Sequence, residues 1–142
     1  MRILFLGDVV GISGCSKIMN NLLDQIKKNK IDCVIVNGEN AAAAGVGLTK
    51  EICKDFFKCG VDVITTGNHV WDQKDIMKFI DKENRLLRPK NLFEPAPGKG
   101  FEIYTSKKNI KIGVLNLMGN VFMKKCEDVF ETSKIFLEKY IL

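Results

Sequence analysis

DCVIVNGEN, residues 32–40, decides how this chain folds. Its middle is an unbroken apolar run, and it stops abruptly in Asn37, Gly38, Glu39 and Asn40. A run this short, with no polar side, reads as a strand buried on both faces of a parallel sheet. Two other stretches share the build. RILFLGD (2–8) is apolar up to Gly7 and Asp8, and VDVITTGN (61–68) leads into Gly67, Asn68 and His69. Each is expected to be a strand, the first buried on both faces like the second.

Helical periodicity fills the gaps between them. Over residues 16–30, Ile18, Met19, Leu22, Leu23 and Ile26 fall on one stripe. Thr49 is placed to cap a helix over 50–59, with Ile52, Phe56 and Phe57 inward and Gly60 as its stop. Asp72 is placed to cap a third helix over 73–84, with Ile76, Phe79 and Ile80 facing the core. The texture then changes. Residues 88–100 hold all three prolines and read as extended loop. Residues 101–106 and 110–119, joined by 107–109, read as a β-hairpin. Residues 127–142 close the chain as a helix, with Val129, Phe130, Ile135, Phe136, Leu137, Tyr140 and Ile141 apolar. No internal repeat or low-complexity tract interrupts the order. The result is an α/β fold, read as one domain over 1–142, with parallel strands joined by right-handed crossovers.

Composition narrows the function classes. The net charge is +5, but the lysines are scattered singly and in pairs, which describes a solvated face and not a nucleic-acid footprint. The five cysteines include no C-x-x-C pair, which argues against a disulfide framework and a structural zinc site. Reduced thiols in the cytoplasm are the expectation. No stretch approaches the roughly 20 apolar residues of a membrane span.

In open α/β sheets, ligands sit beyond the carboxyl ends of the strands. Parallel strands would bring Asp8, Glu39, Asn40, Asn68 and His69 to one edge. Two carboxylates and two carboxamides make a hard, oxygen-rich site that repels itself unless a cation lies between. Two divalent ions held there would clamp a phosphoryl group, and Glu39 is suited to bridge them. His69, the single histidine of the chain, is then placed to protonate a leaving oxygen as general acid. Taken one at a time, Asp8 reads equally well as a cap or turn residue, Asn37, Asn40 and Asn68 read better as turn residues, and a lone histidine near a turn reads better as structural. Trp71 reads better as a packing anchor than as a stacking platform. The recurrence of polar clusters at all three strand ends favours the site.

LGDVVG (6–11), NGENAAAAGVGLT (37–49) and GNHVWD (67–72) resemble the YmdB-like bacterial phosphodiesterases of the calcineurin-like metallophosphoesterase superfamily. The likeness runs on through RPKN (88–91) and GVLNLMGNVFM (113–123). N-G-E-N followed by G-N-H-x-W-D is its specific part. Where the superfamily at large has D-x-H, this chain has Val10 in the third position, as this family does. The resemblance implies a metallophosphoesterase-like sheet with helices on both faces, of which this chain carries the N-terminal half. It implies that Asp8 and Glu39 ligate metal with Glu39 bridging, that Asn40 lies beside one metal and the phosphate, and that Asn68 binds the second. It makes His69 the proton donor. It further implies a dinuclear centre, iron foremost with manganese or magnesium as alternatives, and phosphodiester substrates such as 2',3'-cyclic nucleotides. Members of the family are nearly twice as long, and three metal-binding histidines fall in the part that would follow Leu142. The chain is therefore expected to behave as a truncated form, with apolar surface and a strand edge uncovered, marginal stability or self-association, and a need for a complementing C-terminal polypeptide.

Two other readings stand beside this one. A catalytically idle remnant or subunit keeps the motifs without the chemistry. A Rossmann-like nucleotide-binding domain would use Gly7, Gly11 and Gly14 as a phosphate loop, with Asp8 poorly placed against a pyrophosphate.

Overall fold

The computed structural model describes residues 1–93, 95–106 and 108–140. Four parallel strands form the main sheet in sequential order: β1 (Ile3–Leu6), β2 (Cys33–Asn37), β3 (Val63–Thr65) and β4 (Leu86–Leu87). β1 and β2 are linked by α1 (Gly11–Asn29), and β2 and β3 by α2 (Lys50–Lys58). The hairpin is β5 (Phe101–Thr105) with β6 (Lys111–Leu115), antiparallel, and α3 (Val129–Tyr140) follows it. Ile141 of the expected closing helix and Lys107 of the expected hairpin connection lie outside the described residues.

A core on each face follows from strand alternation. Val34, Val36, Ile64 and Leu86 point to one face and pack with Leu22 and Ile26 of α1 and Phe56 of α2. Cys33, Ile35, Val63 and Leu87 point to the other and pack with Ile112 and Val114 of the hairpin. The mixed α/β class holds, with the second face covered by the hairpin. α3 adds to that side through Phe136, whose ring centroid is 4.4 Å from that of Phe101.

Several expectations need correction. α1 starts at Gly11, so the glycine-rich turn after β1 already belongs to the helix. The expected helix over 73–84 is instead two short 3-10 segments, Lys74–Lys78 and Ile80–Lys82. Ile76 and Ile80 still reach the core, so the apolar spacing reported burial correctly but not helix type. Asp72 does not cap it; the first segment has no side-chain cap, and the Asp72 carboxylate is engaged elsewhere. β4 was hidden in the sequence because two residues carry no period. Thr49 does cap α2, its Oγ1 accepting from the Ile52 N–H at 3.3 Å.

The largest departure is β1. Its apolar run calls for burial on both faces, yet it pairs only with β2 and lies at the sheet edge. Leu4 and Leu6 pack against the helical core, while Ile3 is 45% and Phe5 60% exposed.

Buried polar side chains hold the loops. The Arg88 guanidinium donates to the carbonyls of Pro89, Lys90, Ala96 and Pro97, fixing the proline-rich loop. Asn91 Nδ2 donates to the carbonyls of Met118 and Glu127, and its Oδ1 accepts from the Met118 N–H at 2.9 Å. Asn116 Nδ2 donates to the carbonyls of Thr66 and Leu87. Such groups bury cheaply only when their hydrogen bonds are made, so they stitch the hairpin to the sheet in a single register.

Candidate functional site

The first three parallel strands end on the same side, and the polar clusters meet there. After β1, the Val9 N–H donates to the Asn37 carbonyl at 3.1 Å and the Gly11 N–H to the Asn40 carbonyl at 2.9 Å. These bonds continue the β1–β2 pairing past the strand ends and bring Asp8 beside Asn40. Asn40 Nδ2 donates to Asp8 Oδ2 at 2.7 Å. Asn40 Oδ1 is buried and has no hydrogen-bond partner among the described residues.

The second and third strand ends meet through Glu39. The His69 backbone N–H donates to Glu39 Oε2 at 3.4 Å, and the Glu39 N–H reaches Asn37 Oδ1, also at 3.4 Å. The bond to the carboxylate is long, so it retains acceptor capacity. Gly67 makes room for it. A Cβ there would lie 2.7 Å from Glu39 Cδ and Oε1 and closer still to Oε2. Asn68 and His69 follow directly in a turn closed by the Val70 N–H on the Gly67 carbonyl at 3.2 Å.

His69 Nδ1 lies 2.6 Å from Asp72 Oδ2, each side chain about one third exposed, at 34% and 35%. A carboxylate on Nδ1 favours a proton there and leaves Nε2 outside that contact. Sequence reading missed this role because Asp72 also fits a helix cap. The spacing of three residues across a turn was the available signal. Asn116 was missed as well; through Thr66 it fixes the backbone just before Gly67 and Asn68. An asparagine interrupting the apolar run 112–118 was its only trace.

Cysteine chemistry is absent from this edge among the described residues. All five thiols are free and buried. Burial pushes Cys33 up to about 11, with Asp62 adding to the effect, and Cys53 up to about 12. Cys15, behind the site, donates to the Ala41 carbonyl, and burial raises its pKa too. None is a thiolate nucleophile at neutral pH.

The donor set suits a divalent cation in kind. Asn40 Oδ1 is a buried carbonyl oxygen lacking a partner, which normally costs free energy, and a hard cation would satisfy it. It does not suit one in number. No group of three or more His, Cys, Asp or Glu side chains converges among the described residues. Asp8 is exposed, and its carboxylate accepts from Asn40.

The profile of the YmdB-like protein family matches residues 4–141. The chain belongs to that family. It is 43% identical to the 2',3'-cyclic-nucleotide 2'-phosphodiesterase of Bacillus subtilis over 130 residues, 92% of this chain and 48% of that protein. A crystal structure of a hypothetical protein from Thermus thermophilus superposes with a TM-score of 0.89 at 35% identity, over 98% of this chain and 53% of the other. A crystal structure of a phosphatase from Mycoplasma pneumoniae does so with a TM-score of 0.89 at 34% identity, over 99% and 51%. The chain thus spans about half the length of the relatives it matches. Among the described residues, no helix is long and apolar enough to cross a membrane.

Proposed function

We propose that this chain is the motif-bearing half of a metal-dependent phosphodiesterase acting on small phosphodiesters such as 2',3'-cyclic nucleotides. The observation that carries the reading is the convergence of Asp8, Asn40, Glu39 and the Asn68–His69 turn at one sheet edge, with Asn40 Oδ1 buried and unpartnered. The 43%-identical Bacillus subtilis protein supplies the substrate class.

Asp8, Glu39, Asn40 and Asn68 would hold divalent metal. Bound there, the ions would supply charge neutralisation and Lewis-acid polarisation of the phosphoryl group. Oxygen donors alone suit magnesium or manganese; iron, the family expectation, needs imidazole ligands from elsewhere. Asn40 holds the Asp8 carboxylate in place and aims its own carbonyl inward. In its imidazolium form, with a proton on each ring nitrogen, His69 would give the Nε2 proton to the leaving oxygen while Asp72 keeps the Nδ1–H and holds the ring in orientation. A donor set this short calls for further ligands from a complementing polypeptide or, as a second arrangement, another copy of this chain. Five unpaired buried thiols fit a reducing, cytoplasmic setting.

The phosphate-loop alternative is disfavoured by a specific contact. The Gly11 N–H, which a pyrophosphate would need, is already donated to the Asn40 carbonyl. The idle-subunit alternative is separated by experiment. Hydrolysis of bis-p-nitrophenyl phosphate and 2',3'-cyclic AMP is measured with Mn²⁺ or Fe²⁺. The chain is assayed alone and co-purified with the half of the Bacillus subtilis relative that it does not match. Turnover in the complex that disappears in His69→Ala is expected. A stable complex without turnover sinks the catalytic reading.

A further inference from the structure

We infer that the cleft between α2 and the 3-10 segments after β3 is a binding track for single-stranded nucleic acid, held through its phosphates by lysines from both elements. The inference concerns binding and does not rest on the catalytic reading.

Lysines that look scattered along the chain are gathered by the fold. Lys50, Lys54 and Lys58 recur at every fourth residue of α2, so they share one face of the helix. Lys50 and Lys54 line a cleft together with Lys78 and Lys82 from the 3-10 segments. A second cleft continues the first, sharing Lys54 and Glu83 with it and adding Lys58 and Arg85. All six basic residues are exposed, and Glu83 is the one carboxylate that lines either cleft. Lys58 pairs with Asp55 at 3.0 Å, Lys78 with Asp75 at 3.8 Å and Arg85 with Glu83 at 3.3 Å. Lys50, Lys54 and Lys82 have no ion-pair partner among the described residues. A merely solvated helix face interleaves the two signs, because like charges four residues apart disfavour the helix. Here one sign is repeated along α2 and repeated again across the cleft.

Spacing and size choose the ligand. Four residues of α-helix advance about 6 Å, close to the step between phosphates in an extended single strand. The two clefts measure about 230 and 330 Å³. That is at or below the small end of pockets that enclose a compact ligand, so a chain lying along both fits better than a small molecule inside one. The Arg85 guanidinium lies 3.7 Å from the centroid of the Phe57 ring and its side chain is 45% exposed, which leaves a planar face on which a base can stack. An anionic membrane fits less well. Membrane-binding faces add apolar side chains to their charge, and Met77 is the one exposed large apolar side chain among residues 50–85. Topology also gives the track a direction. Gln73 Nε2 donates to the Val46 carbonyl at 2.9 Å, tying the loop before Lys50 to the turn after His69. The Lys50 end of the track therefore lies toward the edge that holds Asp8, Glu39 and His69.

The test follows the fluorescence anisotropy of a fluorescein-labelled decauridylate added to the purified chain. Binding is expected, with affinity falling about fiftyfold between roughly 50 mM and 200 mM salt for about four neutralised phosphates. Lys54→Glu combined with Lys82→Glu should weaken binding about tenfold or more, with circular dichroism and Tm retained because both side chains are exposed. Lys124→Glu combined with Lys125→Glu makes the same charge change at exposed positions outside the clefts and should weaken binding less than about threefold. Lys50→Gln combined with Lys78→Gln, a milder pair, should flatten the salt dependence by about 0.7 in slope per lost contact. Absence of binding at low salt overturns the inference, and so does an unchanged salt slope in the milder pair. Equal losses in the two charge-reversed pairs overturn it by reducing the effect to net charge. A duplex of the same length bound as tightly overturns the single-strand assignment. Phosphatidylserine vesicles that bind through Lys54 and Lys82 while decauridylate does not would make a membrane the occupant.

Discussion

β1 and β3 carry nearly interchangeable sequence, short apolar runs that end in a glycine and a polar site residue, yet they live in different surroundings. β3 has neighbours on both sides, helices over Ile64 and the hairpin over Val63, and both side chains are fully buried. β1 has one neighbour, and the hairpin does not reach Ile3 or Phe5. The site mirrors the contrast. The β3 end is packed, with Glu39 pressed against Gly67 and His69 tied to Asp72. At the β1 end, Asp8 has Asn40 as its single side-chain partner among the described residues. Composition sets what a strand can bury, and the neighbours decide whether it does.

The same substitution in both strands tests this most strongly. Ile64→Ala should cost about 2–5 kcal/mol in denaturant unfolding, for lost burial and a cavity. Ile3→Ala should change stability by no more than about 0.5 kcal/mol. An Ile3→Ala cost equal to that of Ile64→Ala would mean that β1 is covered in solution. Gly67→Ala breaks the packed end itself. Its methyl displaces the Glu39 carboxylate, at about 1–3 kcal/mol of overpacking strain. Manganese binding followed by titration calorimetry should weaken with it. Unchanged binding would remove Glu39 from the ligand set.

Asp72→Asn is a finer probe. Two partly exposed side chains should shift stability by no more than about 0.5 kcal/mol. The imidazole should nevertheless lose its preference for the Nδ1-protonated tautomer. With one histidine in the chain, nitrogen–proton correlation spectra report that change without assignment. A tautomer balance identical to the parent's would show that Asp72 does not orient the ring.

The smallest effect concerns the strut at the start of β1. Hydrogen bonding from Lys108 and from the Arg2 N–H holds the Asp32 carboxyl below its usual range. A depressed folded pKa contributes stability above the unfolded carboxylate value of about 3.9, and loses it as pH falls through the folded value. Asp32→Asn should therefore lower Tm slightly at neutral pH and flatten its fall in acid. Parallel Tm–pH curves for the two proteins would count against the strut.

Much of this molecule was legible before folding. Hydrophobic period is a local property, so it located three of the four main strands, α1, α2, the hairpin and the closing helix, and put the glycine-rich polar clusters at strand ends. The strand β4 and the 3-10 geometry after β3 were not legible, because two residues have no period and burial alone does not choose a helix type. Asp72 read as a cap because a carboxylate before a helix satisfies backbone N–H groups equally well, and only the turn geometry gave it to His69. The fate of β1 lay furthest from the sequence. Its residues determined that it could be buried on both faces and that Asp8 would follow it to the ligand edge. Its place beside a single neighbour is a matter of strand order and hairpin reach, long-range properties that only the tertiary structure decides.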